Sequence, residues 1–259
     1  MEFRTKTFIM KINNDIPKII KKTAVWIFWI AVWQIIYMLV GRDLLLASPI
    51  STFKALIELC TDNMFYRTVA LSFVRIALGF LIGSAVGILL GAATGFSKTL
   101  YMLFKPMIDI IRAAPVASFI ILALAWMKTG TVPVFISFLM VVPIMWSNIT
   151  EGIASVDFKL LEMAHMYEYS PMVQLKKIYI PAVLPYIRSA TATGVGFAWK
   201  SGVAAEVIGT PKYSVGSRLY ESKIYLETPQ LFAWTAVVII LSVLFEKVII
   251  SAVAGKTKR

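Results

Sequence analysis

The chain has 259 residues, 59% of them hydrophobic, and a mean hydropathy of +0.78, which places it among integral membrane proteins. Lysine and arginine outnumber the acids 26 to 14, a net charge of +12, but they are distributed as membrane topology requires, so no nucleic-acid partner is expected. One cysteine (Cys60) excludes an intrachain disulfide and a cysteine metal cluster, and one histidine (His165) with scattered acids leaves no candidate catalytic residue, no metal site and no membrane-enzyme centre.

Six segments carry the roughly 20 apolar residues that a hydrocarbon core of ~30 Å requires: about 24–41, 68–96, 103–127, 131–150, 183–206 and 231–253. Backbone polar groups must be satisfied inside lipid, and the short alternating segments of a barrel are absent. An all-α integral membrane protein, a six-helix transmembrane bundle, is therefore predicted. No internal repeat or long linker divides it, so residues 1–259 read as a single transmembrane domain. The basic run Lys11 to Lys22 ahead of the first segment reads as a retained start-transfer helix, because the apolar run is too long for a signal peptide and no small-residue cleavage site follows. Placing the N-terminus inside puts Lys98, Lys105, Lys159, Lys176, Lys177 and the basic tail on the same side, so both termini are expected in the cytosol. Within the first segment Trp26, Trp29, Trp33 and Tyr37 take spacings suited to an interface or a lipid-facing side.

The second segment holds Gly79, Gly83, Gly87, Gly91 and Gly95 at a strict four-residue interval, one helix ridge without side chains that lets another backbone approach closely. The ridge fits a subunit or gate-helix contact and tight packing inside one bundle equally well. Arg75, one turn ahead, is expected to anchor the helix near the outer interface. In the third segment Asp109 and Arg112 stand three residues apart and are expected to pair; Pro115, Pro133 and Pro143 are candidate breaks. The fifth segment has a small-residue face (Ala190, Gly194, Ala198, Gly202) and carries Lys200 and Glu206. An unpaired mid-span ammonium costs at least ~3 kcal/mol, and Glu206 lies off its face, so Lys200 is a candidate to face a polar path. Arg112, Gly194 and Glu206 complete the candidate path set. Between Gly209 and Gln230, punctuated by Pro211, Gly216 and Pro229, a short helix around Val215, Leu219 and Ser222 is expected to cap the outer face. Gly255-Lys256-Thr257 mimics the end of a phosphate loop, but Ile250 occupies the position of its first glycine and no strand precedes it.

Between the fourth and fifth segments a loop of about 151–182 contains the polar insert Asp157 to Pro181. Ser170-Pro171 should split it into two short helices, because the residue before proline is pushed out of the α region. Leu160, Leu161, Ala164 and Met166 supply an apolar stripe, while Asp157, Lys159, Glu162 and Glu168 face water. Glu162 and Ala164, with Ile178, Ile180 and Pro181 at the matching spacing, resemble the EAA loop of permease subunits in ABC importers. That pattern is E-A-A, three residues, Gly, nine residues, then I-x-L-P. Met163 replaces its first alanine, and Glu168 stands where the family has glycine. Ser48-Pro49 followed by an amphipathic stretch, Leu71–Arg75 followed by Gly79-Phe80, and the run Val195–Gly209 resemble the sulfonate, taurine and nitrate permease group. Permeases proposed for thiamine-precursor pyrimidines and riboflavin belong to the same group.

The resemblance implies the type I ABC importer permease fold in a bacterial or archaeal cell (inner) membrane, carrying a small polar or anionic solute of the sulfonate, taurine or nitrate kind, or a thiamine-precursor pyrimidine or riboflavin. It implies two cytosolic ABC ATPase subunits docked on the loop through Asp157, Leu161, Glu162, Ala164, Tyr167, Glu168, Ser170 and Pro181. It also implies a second permease copy, expected to be identical, and an extracytoplasmic solute-binding protein. ATP and Mg belong to the ATPase, so this chain is expected to bind no cofactor and to be a transport subunit, not an enzyme. The fifth segment is expected to line the path beside its counterpart in the second permease. The other reading is a secondary transporter or channel without an ATPase, a class that often shows paired repeats and broken helices.

Overall fold

The structure is a computed structural model that describes residues 23–254; the basic start Lys11 to Lys22 and the tail Gly255-Lys256-Thr257 lie outside the described residues. Its helices are α1 (Thr23–Val40), α2 (Pro49–Thr61), α3 (Asn63–Phe96), α4 (Lys98–Ala113), α5 (Val116–Trp126), α6 (Val132–Ala154), α7 (Phe158–Met166), α8 (Pro171–Gln174), α9 (Ile180–Gly209), α10 (Val215–Ile224) and α11 (Thr228–Ala254), with a π-helical turn at Leu175–Tyr179. No strand occurs among the described residues. Helices α1, α3, α6 and α11 are each long and apolar enough to cross a membrane, and α4 with α5 makes a fifth crossing if the bent pair is one span. Helix α9 covers the fifth predicted segment and has the length at 30 residues, but its Thr, Ser, Gly, Lys200 and Glu206 leave it less apolar than those four.

The third predicted segment departs most from expectation. It is not one helix over 103–127: α4 ends at Ala113, and the chain turns by 103° into α5. Ala114 sits at φ −78°, ψ 140°, the extended region that Pro115 imposes on its predecessor. Pro133 falls in the first turn of α6, where a missing N–H breaks no helix bond, and Pro143 lies inside α6 without ending it. The start of α3 also lies earlier than the apolar run, because Asp62 caps it by accepting a hydrogen bond from the Met64 N–H at 2.9 Å.

The described chain falls into two compact units. In the one that takes residues up to Leu59 with Ser222–Ala233, Trp33 stacks on Phe232 at 5.7 Å and donates its Nε1–H to the Ala47 carbonyl at 3.1 Å. The Thr228 hydroxyl donates to the Leu44 carbonyl at 2.7 Å, and the Tyr37 hydroxyl donates to Asp43. Trp26 and Trp29 stay exposed, so the predicted aromatic face of α1 divides between packed and open positions.

The other unit takes Cys60–Glu221 and the chain from Trp234 on, and its core is a trio of α3, α6 and α9. Ile76 and Phe80 of α3, Val141 and Met145 of α6, and Ala198 and Trp199 of α9 are buried together, with Phe245 of α11 against them. Within a membrane, close packing of these side chains rather than their removal from water holds the three helices together. The glycine ridge of α3 faces α6. A Cβ built on Gly87 would stand 2.5 Å from the Met145 Cβ, one on Gly91 2.7 Å from the Ile149 Cβ, and one on Gly83 2.9 Å from the Phe138 carbonyl. Gly79 meets Ser137 and Gly95 meets Ile153 in the same way. Of the two equal sequence readings of the ridge, this is the one inside a single chain.

Candidate functional site

The insert between α6 and α9 is built from local rules. Asp157 caps α7, its carboxylate accepting from the Lys159 N–H at 2.9 Å. The helix closes at Met166, where the Tyr169 N–H reaches back to the Ala164 carbonyl at 2.9 Å. Glu168 carries the chain through this turn at φ 52°, in the left-handed region that glycine occupies without cost. This is the position at which the loop pattern has glycine, so Glu168 holds the glycine conformation under strain of roughly 1 kcal/mol. Glu168→Gly is therefore expected to raise the melting temperature of the purified chain by a few degrees; a lower value would mean the side chain does more here than occupy the turn.

Ser170 and Pro171 do start a new helix, but that helix is not separate. Helix α8 runs through the π-helical turn directly into α9, and Pro181 is absorbed in the first turn of α9. Of the predicted apolar stripe, Ala164 is buried and Leu161 half-buried, whereas Leu160 and Met166 are exposed. Asp157, Lys159, Glu162 and Glu168 face solvent as the pattern requires. Beside them Phe158, Tyr167, Tyr169 and Met172 are also exposed. Aromatic and methionine side chains left bare on an otherwise polar element form a surface suited to a protein partner.

The four candidate path residues separate into two pairs. Gly194 and Glu206 are interior: a Cβ on Gly194 would meet Phe80 and Met145, and Glu206 has no exposed surface. Arg112 and Lys200 are exposed. Arg112 does not pair with Asp109, as the sequence spacing suggested; it reaches the Ser147 Oγ at 3.5 Å, while Asp109 takes Lys105 at 2.6 Å, four residues back. Lys200 shares the outward side of α9 with Ser189, Thr193 and Phe197, a strip of mixed polarity.

Sequence reasoning missed the network around Glu206. Its Oε2 accepts from the Ser72 hydroxyl at 2.8 Å and from the Gly216 N–H at 3.2 Å, and its Oε1 lies 3.6 Å from an Arg75 guanidinium nitrogen. Arg75 also donates to the carbonyls of Lys212 and Tyr213, and Ser72 accepts from the Val215 N–H at 2.9 Å. These contacts tie the start of the outer loop to α3 and α9, and they explain why Gly216 has no room for a side chain: a Cβ there would stand 2.5 Å from the Val207 nitrogen. The signal was present in sequence as two intramembrane charges of opposite sign, which inside a membrane pair with each other more often than with lipid or water.

Residues 83–254 match the family described as binding-protein-dependent transport system inner membrane component. The chain is 30% identical over 207 residues to the putative aliphatic sulfonates transport permease protein SsuC of Bacillus subtilis, covering 79% of this chain and 74% of that one. It is 28% identical over 191 residues to the nitrate import permease protein NrtB of Synechococcus elongatus, covering 70% and 68%. The bicarbonate transport system permease protein CmpB of the same species is 27% identical over 161 residues, covering 62% and 58%. In fold the chain is similar to a chain of the MetNI methionine ABC transporter in an inward-facing conformation. The TM-score is 0.56 at 19% identity, covering 73% of this chain and 93% of that one.

Proposed function

We propose, from the premise that this chain belongs to the binding-protein-dependent transport system inner membrane component family, that it is the permease subunit of an ATP-driven importer for a small anion. As a multi-pass membrane protein of that family it would cross the membrane six times, with α9 as the fifth crossing, the bent α4–α5 pair as the third, and both termini in the cytosol. Two ATPase subunits, which carry the ATP and Mg, engage the loop from Asp157 to Pro181. An extracytoplasmic binding protein delivers the solute, and a second, identical permease copy completes the path. The names of the relatives, covering sulfonate, nitrate and bicarbonate transport, support an anionic solute over a cationic one.

The observation that carries this reading is the exposed cluster on the capped α7 helix, where Glu162 lies among Phe158, Met166 and Tyr167 with no side-chain partner among the described residues. A second observation concerns α9: the outward strip with Ser189, Thr193 and Lys200 cannot rest against acyl chains without a penalty of about 3 kcal/mol for the ammonium alone, which favours the second copy and the path. In the complex purified with its ATPase and binding protein and reconstituted in vesicles, Glu162→Lys is expected to cut solute-stimulated ATP hydrolysis at least tenfold. Lys200→Met should slow uptake while leaving the melting temperature unchanged. Full stimulation in the first variant would reject the docking role of the loop, and normal uptake in the second would remove Lys200 from the path.

A further inference from the structure

A cleft of about 700 Å³ opens where α3 and α6 end and α4 begins, apart from both the docking loop and the outward strip of α9. Three cations line it: Lys98, Lys105 and Arg112 recur every seventh residue of α4 and so share one side of that helix. Asp109 neutralises only the middle one, at 2.6 Å. Arg112 makes no ion pair among the described residues and has only the long contact to Ser147, and Lys98 has neither an ion pair nor a hydrogen bond among them. Tyr101 stacks on Trp146 at 5.4 Å to form an aromatic wall, and the buried indole N–H of Trp146 has no acceptor among the described residues. Against these donors stands one further carboxylate, Glu151. Three cations and two carboxylates leave one net positive charge.

The neighbouring surface selects the guest. Fourteen residues of helix place Lys98 and Arg112 roughly 21 Å apart along α4, so a single phosphate, free or in a headgroup, meets only one end of the stripe. The same helix exposes Leu100, Met102, Leu103, Met107 and Ile110, which gives α4 a bare apolar side next to its basic one. A basic pocket between membrane helices, with a bare apolar side beside it, fits an anionic lipid headgroup.

We propose that this cleft is a binding site for an anionic phospholipid, whose phosphate lies against the Lys98–Arg112 stripe with its acyl chains against the exposed apolar side of α4. This reading takes Arg112 out of the candidate path set and gives it to the lipid. Its test uses the full chain purified in detergent, offered equal amounts of phosphatidylglycerol and phosphatidylcholine, with retained lipids counted by native mass spectrometry. The wild-type chain is expected to retain phosphatidylglycerol preferentially, and the Lys98→Gln/Arg112→Gln double variant to lose that preference by roughly tenfold or more. Glu151→Gln, which removes the opposing charge and keeps all three cations, should strengthen it; this single variant decides the matter if the double variant does not fold. Absence of a preference in the wild type, an equal preference in the double variant, or no gain in Glu151→Gln would overturn the proposal. So would a rise in melting temperature with inorganic phosphate alone, at fixed ionic strength, that the double variant lacks while lipid retention is unselective. That result would assign the cleft to a soluble oxyanion.

Discussion

Replacing Gly87 with leucine is expected to cost at least about 3 kcal/mol, at or above the upper end of overpacking penalties, and to remove most folded protein from a detergent extract. The reason is where the obstruction comes from. A Cβ at this position would stand 2.5 Å from the Met145 Cβ and 3.0 Å from the Val142 carbonyl. Neither is the far end of a flexible side chain, so α3 and α6 must separate, and the Ile76–Trp199 cluster beyond them opens with them. Ala85 lies two residues away on the same helix and is exposed, so Ala85→Leu should be close to neutral. Yield of monodisperse protein and melting temperature report both variants. Equal tolerance at the two positions would show that the ridge does not touch α6 in the membrane.

Arg75→Met should destabilise almost as much, by about 3 kcal/mol, the lower end of the range for breaking a buried pair. The lower end applies because Arg75 keeps 18% of its side chain exposed and its closest approach to Glu206 is 3.6 Å. The substitution strands a carboxylate with no exposed surface and withdraws the donors from the Lys212 and Tyr213 carbonyls. Adding Glu206→Gln removes the stranded charge while keeping an acceptor for Ser72 and Gly216. The double variant is thus expected to recover most of the lost melting temperature. If single and double variants melt together, the carboxylate is not what the guanidinium supports.

Local features of this chain were readable from its sequence, and relations between distant segments were not. The Ser170-Pro171 break and α10 at Val215–Ile224 each follow from residues within a few positions of the feature. The glycine interval announced a close approach but could not name α6, because a ridge presents the same spacing to any partner. Hydropathy summed over 103–127 is blind to direction; Pro115 was a candidate break in sequence, but its 103° turn needed the structure. For Asp109 two neighbours on one helix competed, Arg112 at three residues and Lys105 at four, and spacing alone did not rank them. Arg75 and Glu206 lie on different helices, and only packing of α3 against α9 brings them together. In the candidate site the polar positions of α7 were legible, whereas the bare aromatics were not, since exposure of Phe158 or Tyr167 depends on what the rest of the chain leaves uncovered.

The unbroken passage from α8 through the π-helical turn into α9 has a mechanical consequence. From Pro171 to Gly209 the chain stays helical over roughly 55 Å at about 1.5 Å per residue, with the π-helical turn and the interior Pro185 as its two points of bending. Its near end borders the surface of α7, and its far end carries Glu206, to which the start of the outer loop is fastened through Gly216. Beyond Pro185 the helix is gripped by α3 and α6 around Ala198 and Trp199, so a displacement at Pro171 divides between bending at that proline and movement of the gripped part.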